Sequence, residues 1–465
     1  MVSRHTSNLM LALAASCGLT VAAPVLHAQQ GGTPGPLGGV QQYNLGESPP
    51  ERSFVIPRLS LQEVYDSNPS YATTTGASQT DAITSVGGGL SLQWMNRQST
   101  LALNYSAQGL LYDRQTQPNG VVQQLGVTEK IALRRWILLI GENFSYLPNS
   151  AFGLGGLGFL GGGTSGLPGG GGLPGIGIGT GFNPSVLPTQ SIVSPNVSEL
   201  SSATVFQAQY FLNGTSSVNG SASVGFLHFF GAALLNSRDI TARFGYDKTL
   251  NPRDTISFSY QATILDYPSG IPGFTSHYIQ MGYRRLINKR LHLVVSAGPA
   301  ISHFSPPSGQ TNVPGGSVLV DWSAFATLDY ALRSGSLGAQ YNHGVAAGSG
   351  YFPGTTADTL TANFRHQLTR VWSVAVTGGY ARNSSLEQTA STGTTNTTAI
   401  FNTWYGGASI SRPLGHYSSL QFFYNASRQT GNTTVCVNGV SCGPIALTQT
   451  GGVSYTWSTR PFALQ

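Results

Sequence analysis

Ile256-Ser257-Phe258-Ser259-Tyr260-Gln261-Ala262-Thr263-Ile264 alternates at every position. Successive side chains of an extended chain point to opposite faces. Ile256, Phe258, Tyr260, Ala262 and Ile264 therefore share one face, and Ser257, Ser259, Gln261 and Thr263 the other. A strand of this kind has two possible settings. In water its apolar face packs on a second sheet; in a bilayer that face meets lipid and the polar face lines a wet interior. Small Ser, Thr and Gln side chains suit a hydrated lumen better than a packed layer, so the segment predicts a membrane-spanning strand.

The pattern recurs outward from there. Leu101, Leu103, Tyr105, Ala107 and Gly109 alternate with Ala102, Asn104, Ser106 and Gln108. Similar apolar phases run through Ile240-Ala242-Phe244-Tyr246, Trp322-Ala324-Ala326-Leu328-Tyr330, Trp372-Val374-Val376-Gly378-Tyr380 and Leu420-Phe422-Tyr424. Tight turns are expected at Asn96-Arg97, Arg135-Trp136, Asn213-Gly214, Asn251-Pro252, Asn288-Lys289, Ser334-Gly335, Thr369-Arg370 and Leu414-Gly415. Longer polar connections lie between them: 67–79, 115–120, 148–198, 230–236, 268–275, 305–316, 347–356, 384–398 and 430–444. Short turns on one side and long loops on the other give an all-β fold, an antiparallel up-and-down transmembrane barrel of about 18 strands (about 16–18) with both termini periplasmic.

Composition points the same way. Of 465 residues only 9% are Asp, Glu, Lys or Arg, against roughly 25% in soluble domains. Mean hydropathy is nonetheless −0.02, and beyond the N-terminus no run approaches the roughly 20 apolar residues of a membrane helix. The 60 glycines and 10% aromatic content fit turns, close backbone approach and interfacial girdles. The net charge of +6 is dispersed, which argues against a nucleic-acid partner.

Residues 1–28 have the parts of a secretory signal: Arg4 and His5, an apolar run from Leu9 to Ala23, and Leu26-His27-Ala28 before the cleavage point. Ala14-Ala15-Ser16-Cys17 also loosely matches a lipidation site. Residues 29–53 read as a flexible Gly/Pro-rich periplasmic lead-in, and 54–465 as the barrel. Cleavage leaves Cys436 and Cys442, whose spacing across a short polar turn suits a disulfide staple in an oxidising compartment. The connection at 149–198 contains Gly153-Leu154-Gly155-Gly156-Leu157-Gly158. It lacks the strand, helix and acidic residue of a dinucleotide site, so it is a Gly-rich loop, either external or folded inward.

No catalytic, cofactor or metal motif appears, and the chain is not expected to be an enzyme. His277, His303 and His343 are candidate parts of a rim hydrolase, and each is isolated from a matched partner in sequence. Arg243, Asp247, Arg284, Asp321, Asp329 and Arg365 occupy polar strand phases. A charge facing mid-membrane lipid costs roughly 2–4 kcal/mol, so these six are expected to line the lumen. Glu129 shares the phase of Val127, Ile131 and Leu133; it implies a bulge or an interfacial position.

Thr450-Gly451-Gly452-Val453-Ser454-Tyr455-Thr456-Trp457 resembles the last-strand signal of outer-membrane barrels, with Gly452, Tyr455 and Trp457 at its marked positions. That resemblance implies the barrel-assembly machinery as a partner, although Ser458 to Gln465 follow where the familiar signal ends on Phe. The opening Val55-Ile56-Pro57-Arg58-Leu59-Ser60-Leu61-Gln62-Glu63-Val64-Tyr65-Asp66-Ser67-Asn68-Pro69 is similar to that of the β-barrel porin 2 type of bacterial outer-membrane proteins. The resemblance implies a porin-like channel in the Gram-negative outer membrane, sometimes near exopolysaccharide export, among lipid and lipopolysaccharide. It implies no substrate and no oligomeric state. Asp66-Ser67-Asn68-Pro69 reads as a turn.

Overall fold

The structure, a computed structural model, describes residues 53–70, 79–148, 197–230, 234–268, 271–304, 318–346, 350–386, 398–432 and 445–463. The signal segment, most of the lead-in, Cys436, Cys442 and residues 149–196 of the Gly-rich loop lie outside these.

The strands are β1 (Phe54–Asp66), β2 (Asp81–Met95), β3 (Ser99–Tyr112), β4 (Gly120–Ala132), β5 (Trp136–Leu147) and β6 (Ser198–Asn213). Next come β7 (Ser216–Phe230), β8 (Ser237–Asn251), β9 (Asp254–Asp266), β10 (Phe274–Asn288), β11 (Leu291–Phe304) and β12 (Val318–Leu332). The last are β13 (Gly335–Ala346), β14 (Thr355–Gln367), β15 (Ser373–Ser385), β16 (Ile400–Pro413), β17 (Ser418–Gly431) and β18 (Ile445–Ser458). Each pairs antiparallel with its sequence neighbours, and β18 returns to β1, with Arg58 opposite Ser458 and Asp66 opposite Thr450. The ring of 18 long strands is closed. A two-residue β19 (Phe462–Ala463) prolongs the same seam at Phe54 and Val55.

All eight expected tight turns fall at one end of the ring and all nine long connections at the other. Both described termini lie at the short-turn end, where Phe54 pairs with Ala463. The Asn turns share one device. Asn213 Oδ1 accepts the Thr215 N–H at 2.9 Å, Asn251 Oδ1 the Arg253 N–H at 2.8 Å, and Asn288 Oδ1 the Arg290 N–H at 2.8 Å. Each side chain imitates a turn of backbone. A register shift sits beside each of these turns, where one extra residue tightens the bend.

Exposure is inverted relative to a soluble sheet. Outward Phe244 is 61% exposed and Phe258 54%, whereas inward Thr241 is 3% and Ser257 4% exposed. The apolar phases read from sequence are the outward ones on every strand quoted above. Inside, hydroxyls and amides satisfy one another: Ser276 Oγ with Ser302 Oγ at 2.6 Å, Thr241 Oγ1 with Thr263 Oγ1 at 2.8 Å, Gln209 Nε2 to Ser217 Oγ at 3.0 Å. Closure pairs every strand on both sides, as a lipid environment demands of backbone amides and carbonyls. Outward aromatics mark both rims, Trp94, Trp136 and Trp457 near the short-turn end and Tyr65, Trp322 and Trp404 nearer the other.

Glu129 faces outward. Pairing of β4 with β3 and β5 runs through it without a register shift, which removes the bulge, and it sits three residues before the end of β4 at the short-turn rim. Asp66 Oδ1 accepts the Asn68 N–H at 2.8 Å, the turn expected there. Tyr455 and Trp457 face outward on β18, and Gly452 faces inward, where a Cβ would stand 2.3 Å from the Glu63 carbonyl oxygen and 2.9 Å from Phe423. The glycine of the last-strand motif is thus what lets the closing strand seat against β1.

Candidate functional site

The inner wall carries the charges. On β8, Asp239, Arg243 and Asp247 are spaced four residues apart, all inward and buried. Arg243 Nη2 donates to Ser259 Oγ at 2.9 Å, and Asn219 Nδ2 donates to Asp247 Oδ2 at 2.7 Å. Asp239 lies over Gly225, where a Cβ would come within 2.3 Å of its Oδ1. Its Oδ2 is buried and accepts no hydrogen bond among the described residues. Two strands on, Arg284 faces inward and its Nη2 donates to Thr255 Oγ1 at 3.3 Å. Asp329 stands opposite His292, and Arg365 opposite Ser336 and Ala375, both in the inward phase. The result is a wall of mixed sign concentrated on β8–β14.

Five of the six expected lumen charges are inward without qualification. Asp321 has an inward backbone phase, but its carboxylate turns to the outer face. Its Oδ1 lies 3.7 Å from His343 Nε2 and its Oδ2 accepts Thr356 Oγ1 at 3.4 Å. Asp239 and the inward, 1% exposed Glu199 escaped the sequence reading, although the strand phase places them as clearly as Arg243. The three candidate histidines all face outward; the His277 and His303 rings are neighbours with centroids 5.9 Å apart, and His343 stands elsewhere on β13. His277 Nδ1 meets the Tyr260 hydroxyl at 2.7 Å, and His343 Nδ1 meets Asp358 Oδ1 at 2.7 Å. Among the described residues no group of three His, Cys, Asp or Glu is placed so that it could hold a metal ion.

Toward the long-loop end the lumen turns apolar. One cluster joins Val64, Ile83, Leu110, Tyr112, Val122, Leu147 and Phe423, all inward. A second joins Leu235, Leu265, Tyr267 and Phe274. The third is built around the β13–β14 connection, Gly350-Tyr351-Phe352-Pro353-Gly354, and includes Leu227, Phe229 and Phe401. Gly350 has φ +80° and Gly354 φ +106°, left-handed values that glycine adopts freely. They bracket Tyr351 and Phe352, which are 3% and 1% exposed. The segment is stitched at both ends: Leu235 N–H donates to the Gly350 carbonyl at 2.8 Å, and Leu386 N–H to that of Gly354 at 3.2 Å. Phe352 and Phe401 have ring centroids 5.8 Å apart, and a Cβ on Gly350 would stand 2.5 Å from Phe229. Phe229 is on β7 and Phe401 on β16, halfway round the ring from each other. Gly350–Gly354 therefore spans the mouth from one wall to the opposite one. The expectation of an inward fold for the Gly-rich loop lies outside the described residues; among those described, Gly350–Gly354 folds inward. Its sequence signal was two large aromatics between glycines in a connection expected to be polar.

No family model and no curated protein matches this chain. Solved structures similar to it include Acinetobacter baumannii OccAB3, at 8% identity and TM-score 0.44 over 88% of this chain and 99% of that one. Pseudomonas aeruginosa OccK2 (OpdF) in complex with glucuronate is similar at 9% identity and TM-score 0.42, over 89% and 98%. Pseudomonas aeruginosa OccK5 (OpdH) is similar at 12% identity and TM-score 0.43, over 88% and 99%.

Proposed function

We propose that the chain is an outer-membrane channel of a Gram-negative bacterium for passive passage of small solutes, with its long-loop end external and its mouth narrowed by Gly350–Gly354. The carrying observation is the inverted exposure of a closed 18-strand ring: apolar outside, hydroxyl-, amide- and charge-lined inside. A ring of that strand number encloses a lumen wide enough for water unless something fills it. In this reading residues 1–28 are removed on export, Cys436 and Cys442 form a disulfide, the assembly machinery reads the strand around Gly452, Tyr455 and Trp457, and lipopolysaccharide surrounds the outer wall. Arg243, Asp247, Arg284, Asp329 and Arg365 set the field along the path and bias which ions pass. Planar-bilayer recording of the purified protein with a solute-size series tests this. Discrete conductance steps with a size cutoff are expected; a silent bilayer would remove the proposal.

A second reading has an observation of its own. The aromatic bridge across the mouth favours a barrel occluded at rest, with a structural or export-associated role. Conductance that appears only after removal of the Phe352 side chain would select it.

A further inference from the structure

Eight hairpins zip from the short-turn end toward the long loops. In seven, no strand runs more than three residues beyond its last pair with its hairpin mate. The β12–β13 hairpin stops at Ala324 opposite His343, although β12 begins at Val318 and β13 ends at Ala346. Both free ends stay paired on their other sides, Val318 to Ser323 with β11 and Gly344 to Ala346 with β14. The wall is sound to left and right, and it parts between them. Three unpaired rows at about 3.3 Å per residue make a slot on the order of 10 Å long.

Side chains cross this slot in both directions. Asp321 shares its phase with Ser323 and Phe325, which are buried on the inner face, yet its carboxylate meets the outer-face His343 and Thr356. Val345 shares its phase with the outward Leu337 and Tyr341, yet packs against the inner cluster of Leu235, Leu265, Tyr267 and Phe274. Aromatic side chains stop the slot on each side. From within, the buried Tyr278 lies against the backbone of Val345, which has lost its β12 partner. From without, Trp322, half exposed, stacks on His343 with centroids 4.2 Å apart and planes at 17°. Val318 and Val320 flank the outer lip, and Phe274 and Phe304 the inner one.

We infer that this seam is a lateral port joining the apolar inner clusters to the surrounding lipid, and that its cargo is the hydrocarbon chain of a single-chain amphiphile. The inference deepens the channel reading and rests on it. The lips present Val318, Val320 and Trp322 without and Phe274 and Phe304 within, the Asp321 carboxylate that crosses between them being held by His343 and Thr356, and the gap is that of one parted strand pair, which admits a chain end-on but no folded partner. The hydroxyl- and amide-lined lumen below these clusters offers a polar head its hydration. Opening the route requires Tyr278 and Trp322 to swing aside and the Asp321 and Val345 side chains to withdraw from the slot, and it breaks no paired strand.

The test is photolabelling of the full-length protein in liposomes that contain a diazirine-bearing fatty acid, with adducts mapped by mass spectrometry. Expected are adducts concentrated on 318–323, on 344–346 and on the lumen-facing Phe274 and Tyr278, well above those on outward residues of β7 at 222–226. Trp322→Ala should raise the lumen-side adducts several-fold. Adducts spread evenly over the outer wall, with none on Phe274 or Tyr278, would overturn the port, as would an unchanged pattern in the Trp322 variant. Conductance recorded from the same preparation keeps the two readings apart: its absence sinks the channel, whereas the adduct map alone decides the port.

Discussion

At Asn288 one side-chain oxygen takes two amide N–H groups, from Arg290 at 2.8 Å and Leu291 at 2.9 Å. Replacing Asn288 with Ala leaves both to solvent. The expected loss is about 0.5–1.5 kcal/mol, the net worth of a typical hydrogen bond, read as a lower urea midpoint in detergent micelles with unchanged slope. In the lumen, residue-scale predictions have a sign. Asp247→Asn removes a negative charge from the β8 wall, so the reversal potential in a salt gradient should move toward anions. Arg243→Gln should move it toward cations. Shifts of the same sign in both would mean that the ladder does not face the conducting path. Phase alone made Arg243 and Asp247 legible in the sequence. It failed for Asp321, because period two fixes where a Cβ points and not what a carboxylate finds once the neighbouring strand has parted.

Elements were legible where chemistry is local. Asn-Gly, Asn-Pro and Asn-Lys pairs stop a strand within a residue or two, so three of the short turns followed from them, and the strand number from all eight short turns with the nine long connections. The Gly350–Gly354 segment was not legible as an inward fold. Its partners Phe229 and Phe401 are distant in sequence and on opposite walls, and nothing in a polar loop of that length announces them. Truncating Phe352 to Ala should cost about 3–5 kcal/mol, the range for a buried aromatic, visible as a lower temperature for the gel-mobility shift of the unheated barrel. It should also raise unit conductance. Stability lost with conductance unchanged would place the narrowest point elsewhere. Gly354→Ala forces a side chain into φ +106° and to within 2.7 Å of Phe274, so it should mimic Phe352→Ala in sign. The β12–β13 seam was equally invisible, since the period-two pattern around Val320, Trp322 and Ala324 runs on through the point where the strands separate.

For the molecule as a whole, the inverted exposure makes the two faces of the wall unequal toward charge. Phe244→Arg places a cation on the lipid face near the middle of β8 and should cost about 2–4 kcal/mol. Asn363→Arg puts the same group on the exposed inner wall of β14 and should be tolerated. Folding yield into liposomes, compared between the two, checks it; equal losses would mean that the faces have been assigned wrongly. The pairing of Arg58 with Ser458 has a different kind of consequence, one of timing. A chain delivered from its N-terminus cannot shut its ring until residues 450–458 have arrived. Until then both β1 and the newest strand offer bare hydrogen-bonding edges to any neighbour. Each molecule thus passes through an interval of vulnerability as long as its own delivery, and a stalled or clipped copy that lacks β18 never leaves it, however sound its other seventeen strands.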